Sequence, residues 1–281
     1  MRRDASTQSA FAADVVGRTL DSLLAAMPRP RARPLCVGVS GLQGSGKSTL
    51  SRQLAQCARG RGLHCEVLSL DDFYLGRRDR RRLARSVHPL FVTRGVPGTH
   101  DVGLLLRTLD SLAHASAARP VRVPRFDKGR DTRVAPSRWR RVTRVPALIL
   151  LEGWCVGVQA QSAAAIARPV NALERDEDPL GTWRRHANDA LARDYARAWK
   201  RVDRLVLLQA PRFDVVTRWR DEQEQALRRR GAPRAMDVAA LRRFLAHYER
   251  LGRHALRTLP ARADLRLLLD EARAVRAIVT P

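Results

Sequence analysis

A chain of 281 residues, 44% hydrophobic and 29% charged, can form one large α/β domain or two small ones, and no apolar run in it reaches the ~18 residues that a membrane span requires. The formal charge of +25 invites a nucleic-acid partner, but lysine occurs only at 47, 128 and 200, so 50 of the 53 basic residues are arginine, spread along the chain beside abundant alanine. That skew fits a composition bias of the gene better than a binding stripe, and the main cluster, Arg77 to Arg85, lacks the interleaved aromatics of a single-strand binder and reads as a solvated helical face.

Residues 9 to 27 place Phe11, Val15, Val16, Leu20, Leu23, Leu24 and Met27 at helical spacing, and Pro28, Pro30 and Pro34 end that helix. Asp14, Arg18 and Asp21 interrupt the continuous apolar core that a signal peptide would need, which predicts a cytoplasmic protein. Leu35 to Ser40 reads as a buried strand, Lys47 to Arg59 as a helix and Cys65 to Leu70 as a second strand, so a βαβ unit opens the domain. Helical periodicity returns at 102–113, a short strand is expected at 121–124, and Ala147 to Leu151 is an apolar run of strand length. A mostly helical stretch to about 201, a strand at Leu205 to Gln209, helices at 214–229 and 237–257, a last strand at Leu265 to Leu269 and a C-terminal helix complete the pattern. Strands alternating with helices predict an α/β fold, a mainly parallel sheet covered on both faces, with ligands at the carboxyl ends of its strands. Cys36, Cys57, Cys65 and Cys155 have no CxxC spacing and read as reduced, apolar fillers.

The octet Gly41-Leu42-Gln43-Gly44-Ser45-Gly46-Lys47-Ser48, followed by Thr49, fits the phosphate-binding loop GxxxxGK[ST] and lies between a predicted strand and a predicted helix. Its glycines let backbone N–H groups wrap a polyphosphate at a helix N-terminus. Lys47 would reach the β and γ phosphates of ATP, and the Ser48 hydroxyl would ligate Mg²⁺. In a chain so short of lysine, a compact ammonium stands where a guanidinium fork has the wrong shape. Asp71 and Asp72 follow the second strand, where two acids would face the nucleotide; a kinase acting on a hydroxyl uses such a carboxylate to orient the nucleophile and take its proton. Glu152 directly follows an apolar strand, the position of a magnesium carboxylate in phosphate-loop proteins.

The strings GLQGSGKST, LSLDDFY, HPLFVTRGVPGTHD at 88–101, PRFDKGRDTR at 124–133, LLEGW and APRFDVVTRWRDEQE at 210–224 together resemble the plant-type D-glycerate 3-kinases, phosphate-loop kinases related to uridine kinase, phosphoribulokinase and bacterial pantothenate kinase. The resemblance covers about residues 34–275. It implies a kinase domain over 34–281, with a substrate-binding region at 88–145 and a lid region at 211–235, preceded by an N-terminal helix and Pro-rich connector at 1–33. It makes Asp71 the catalytic base, Asp72 a supporting or magnesium-side acid, Glu152 the second magnesium acid, and Arg218 and Arg220 the lid arginines that close over the phosphates. The acceptor it implies is D-glycerate, a small anion whose pocket needs a cation and hydroxyl-directed hydrogen bonds. His88, Arg94, Thr99, His100, Asp101, Arg125 and Lys128 lie in the two branch-specific segments and form the candidate substrate set. Two other readings stay open at this point: another acceptor of the same set, such as uridine or pantothenate, and a phosphate-loop ATPase switching a nucleic-acid partner. The sequence leaves the oligomeric state open.

Overall fold

The computed structural model describes residues 10–25, 33–229 and 236–280. Met27, the prolines at 28 and 30, and part of the predicted lid at 230–235 lie outside them. The chain runs through α1 (Ala13–Ala25), β1 (Leu35–Gly41), α2 (Lys47–Gly60), β2 (Cys65–Ser69), α3 (Arg77–Ser86) and α4 (Val102–Leu112). Four short strands follow, β3 (Val121–Val123), β4 (Phe126–Asp127), β5 (Thr132–Arg133) and β6 (Arg140–Val142), then β7 (Leu148–Gly153). Helices α5 (Ala163–Ala167), α6 (Ala172–Glu177), α7 (Thr182–Ala190) and α8 (Ala196–Trp199) precede β8 (Arg204–Gln209), α9 (Val215–Arg229), α10 (Val238–Thr258), β9 (Leu265–Leu269) and β10 (Val275–Val279).

Six strands form the main sheet in the order β10-β9-β8-β1-β7-β2, all parallel except β10. Every residue of β1 and β7 is buried, as expected of central parallel strands with both faces covered. One face packs Leu50, Leu54 and Val206 with Trp219, the other Leu105, Leu151, Tyr195 and Leu251. Helix α1 is stitched to the first of these clusters by Val16, Leu20 and Leu23, and the Gln53 side chain bonds both the N–H and the C=O of Phe11, at 2.9 and 2.8 Å.

Three local expectations change. The segment after β9 is an antiparallel edge strand, β10, and not a helix. The Asp270 carboxylate accepts from Ala272 N (2.9 Å) and Ala274 N (2.8 Å), and Arg273 adopts a left-handed φ of 71°, which together turn the chain back on the sheet. The strand at 121–123 joins β6 in a separate two-stranded sheet. Within the arginine-rich α3, Arg80 is only 1% exposed and binds Asp131 at 2.6 Å, so that face is not wholly solvated. Arg184 with Asp178 and Arg250 with Glu174 are further buried pairs, which spend part of the arginine excess on the interior. No described helix is long and apolar enough to cross a membrane.

Candidate active site

The site forms where β1, β2 and β7 end. Gly41 lies so close to Leu208 that a Cβ on it would meet the Leu208 carbonyl oxygen at 2.9 Å and Ser45 Oγ at 2.8 Å. Gly44 and Gly46, with φ of 81° and 101°, carry the loop through the left-handed region that favours glycine. The loop delivers Lys47 to the start of α2, where its Nζ donates to Leu42 O at 2.8 Å. Burial lowers the Lys47 pKa, with Glu152 and Asp71 opposing that fall. Ser45 Oγ and the Gln43 side-chain amide are buried with no hydrogen-bond partner among the described residues. A cradle with unspent polar groups and a buried ammonium fits a polyphosphate.

Ser48 Oγ donates to Glu152 Oε1 at 2.9 Å, bringing a hydroxyl and a carboxylate together beside Lys47. Among the described residues no three His, Cys, Asp or Glu side chains cluster as a metal cage. The Ser48 hydroxyl and Glu152 carboxylate are oxygen donors of the kind magnesium takes, one or two from protein with water and phosphate completing the shell.

Asp71 and Asp72 sit in a single helical turn, Leu70–Phe73, directly after β2. They separate in role. Asp71 Oδ2 binds Lys128 Nζ at 2.6 Å. Burial works against charge on Asp71, but Lys128, with a contribution from Lys47, outweighs it and holds the carboxyl down to about 2. Asp71 in turn raises the Lys128 pKa. Asp72 Oδ1 accepts from Phe126 N at 2.9 Å and so braces the segment that carries Lys128. Burial and the neighbouring Asp71 charge push Asp72 up to about 6, against that hydrogen bond.

The predicted substrate residues divide. His100 is 5% exposed, stacks on Tyr74 with ring centroids 4.3 Å apart, and lies close enough to Asp71 to feel its charge; burial nevertheless lowers its pKa to about 4. Thr99 is loop bracing, with Oγ1 donating to Val96 O (2.7 Å) and accepting from Gly95 N (3.0 Å). Asp101 caps α4 by accepting from Leu104 N at 2.8 Å. His88 caps the turn at Pro89–Val92 and lies 3.8 Å from Asp178. Arg94 is engaged by Asp131 at 2.5 Å and lies over the Phe126 ring, whereas Arg125 is exposed and offers its carbonyl to Val134 N at 2.8 Å.

Helix α9 packs directly on the loop, since a Cβ on Gly44 would lie 2.8 Å from Trp219 Cβ. Of the two arginines expected in a lid, Arg218 is held by Glu271, through Nη1 to Oε2 (3.1 Å) and Nη2 to the backbone O (2.7 Å). Arg220 pairs with Glu224 at 2.7 Å, and its charge reaches Tyr248, which also feels Asp71.

No protein-family model matches the chain. It is 33% identical to an uncharacterized kinase of Schizosaccharomyces pombe, mug58, over 79% of this chain and 80% of that one. It is 31% identical to the chloroplastic D-glycerate 3-kinase of Arabidopsis thaliana over 70% of this chain, and the match spans 42% of the plant protein. This chain belongs to the phosphate-loop kinase family that includes the D-glycerate 3-kinases. The fold agrees: a structure of D-glycerate 3-kinase from Cryptococcus neoformans superposes with a TM-score of 0.78 at 24% identity, covering 96% of this chain and all of that one.

The kinase also uses residues that periodicity and motif reading passed over. Asp131, at a left-handed φ of 55°, gathers Arg77, Arg80 and Arg94 into one knot behind the Lys128 segment. Arg133 donates to Tyr74 O (3.0 Å) and to Asp101 (3.4 Å), tying that segment to the turn after Asp71. Trp154 Nε1 and Tyr248 Oη donate to the Gly95 and Arg94 carbonyls at 3.2 and 3.0 Å, holding the 94–99 loop. Asp131 and Arg133 had a sequence signal in the PRFDKGRDTR string and Trp154 in LLEGW, whereas Tyr248 had none.

Proposed function

We propose that this kinase uses ATP and magnesium to phosphorylate D-glycerate at its C3 hydroxyl, giving 3-phosphoglycerate. The observation that carries the reading is the 2.6 Å contact of Lys128 with Asp71. It sets a cation able to take the acceptor's carboxylate against the acid that would receive the hydroxyl proton. The Lys128 side chain is 62% exposed, so it can exchange partners without leaving a buried site. With Lys128 drawn to the substrate carboxylate, Asp71 loses the main influence that depresses its proton affinity and becomes a better base.

The remaining roles follow from position. Lys47 follows the γ-phosphoryl group as charge builds on its oxygens. Ser48 and Glu152, with the second oxygen of Asp72, would hold a magnesium ion, which when bound would offset phosphate charge. Asp71 orients the hydroxyl in line and accepts its proton late in the transfer. Arg218 and Arg220, paired here with Glu271 and Glu224, are the lid arginines that would close over the phosphates. The plant relative is a D-glycerate 3-kinase, which agrees with this acceptor.

The test is the rate of ADP release with millimolar D-glycerate, uridine, pantothenate or ribulose 5-phosphate as acceptor. The reading requires D-glycerate to be preferred, and turnover of uridine or pantothenate in its place would overturn the substrate while leaving the phosphate site standing.

A further inference from the structure

Between α7 and α8 the helix widens into a π-helical turn at Leu191–Tyr195. Such turns are rare and commonly re-aim a side chain at a functional site. Here the re-aimed side chain is Tyr195, 1% exposed, whose hydroxyl lies 2.5 Å from His100 Nδ1 and accepts from Gly98 N at 3.3 Å. With Gly98 N–H on the oxygen, the hydroxyl hydrogen is directed at the imidazole, so Nδ1 is the acceptor and a neutral ring carries its proton on Nε2. Burial favours the neutral ring.

That Nε2 is buried and has no partner among the described residues. The ring cannot drift to find one, because it is stacked on Tyr74 on one side and edge-on to Tyr195, with centroids 5.8 Å apart, on the other. Residues 100 and 101 are fastened to the turn that holds Asp71 by the Tyr74–His100 bridge and by Asp101 N donating to Phe73 O at 2.7 Å. A fixed, buried N–H donor on the segment bridged to the Asp71 turn is costly to leave unused and would be satisfied by an oxygen that arrives with the acceptor molecule.

We propose that His100 donates its Nε2–H to a hydroxyl or carboxylate oxygen of the acceptor substrate beside Asp71, and that Tyr195 is the positioning residue that fixes the tautomer and plane of the ring. This rests on the reading of Asp71 as the acceptor-side base. The arrangement selects an acceptor with an oxygen lone pair at that point and rejects one presenting a donor or a hydrocarbon there, since the buried N–H would then stay unpaired.

Two measurements test it. Imidazole ¹⁵N spectra of the substrate-free protein at pH 7 report the tautomer directly: His100 is expected as Nε2–H in the wild type and as a mixture in Tyr195→Phe. Steady-state kinetics with D-glycerate are expected to show about a tenfold rise in KM for Tyr195→Phe, the loss of roughly one oriented hydrogen bond, with KM for ATP unchanged. His100→Gln, which keeps an N–H donor, should recover part of what His100→Ala loses. An Nδ1–H or doubly protonated His100 in the wild type overturns the proposal, as does an unchanged D-glycerate KM in Tyr195→Phe. If the wild type does not turn over D-glycerate, the substrate assignment has failed, and the two tautomer spectra alone decide this arrangement. A Tyr195→Phe chain that does not fold leaves the wild-type tautomer and the His100→Gln comparison to decide.

Discussion

The ammonium of Lys128 and the carboxylate of Asp71 meet at 2.6 Å, joining the Phe126–Lys128 segment to the turn after β2. Replacing Lys128 with Met removes the cation assigned to the substrate carboxylate and should raise KM for D-glycerate about ten- to a hundredfold, from roughly 1.5–3 kcal/mol of charge-assisted bonding, with KM for ATP little changed. The same change removes the main influence that lowers Asp71 and leaves burial, which raises it. Activity that needs Asp71 ionised is lost as pH falls through its pKa, so the acid limb of kcat/KM should move to higher pH in Lys128→Met. A pH profile of both proteins checks the shift.

Asp71 and Asp72 should be unequal. Asp71→Asn is expected to lower turnover by about a hundred- to ten-thousandfold, the range for a lost general base, while ATP binding by calorimetry stays nearly intact. Asp72→Asn keeps a side-chain oxygen to accept from Phe126 N, so its effect should be milder or should appear as weaker magnesium dependence. A dead Asp72→Asn beside an active Asp71→Asn would reverse the assignment.

Lys47→Ala should cost about a thousandfold or more in kcat, since its ammonium acts on charge that develops in transfer. Retention of more than about a tenth of wild-type turnover would remove Lys47 from that role.

Asp131→Ala should destabilise the protein by about 3 kcal/mol at pH 7, because it strands the Arg80 guanidinium in the interior. The arginines hold the Asp131 pKa below its ordinary value despite burial. Its stabilisation is therefore present above the unfolded pKa of about 3.9 and is lost as pH falls from there through the folded value. Urea unfolding at pH 7 and near pH 4 should show the gap between wild type and variant beginning to close at the lower pH.

The parts of this molecule that sequence makes visible are those written in contiguous residues. The loop starting at Gly41 closes β1, Asp71 and Asp72 come just after β2, and Glu152 lies near the end of β7, and the parallel sheet places those strand ends side by side. What stayed hidden depends on contacts between distant segments. Nothing local says that Asp131 collects Arg77, Arg80 and Arg94, or that Tyr195 reaches His100. Residues 270–279 contain good helix formers, yet pairing with β9 and the Asp270 turn make them a strand. Abundant arginine also hides individual partners: Arg218 and Arg220 look alike in the string RWR, yet one pairs with Glu271 and the other with Glu224.

The most direct measurement is the ³¹P spectrum of the product after the wild-type protein is incubated with ATP, magnesium and millimolar D-glycerate. The account requires a new resonance assigned to 3-phosphoglycerate, rising in step with ADP. The 2-phospho isomer would place the carboxylate anchor on the other side of Asp71 from Lys128, and the absence of any phosphoglycerate beside phosphorylated uridine or pantothenate in parallel tubes would contradict the substrate outright.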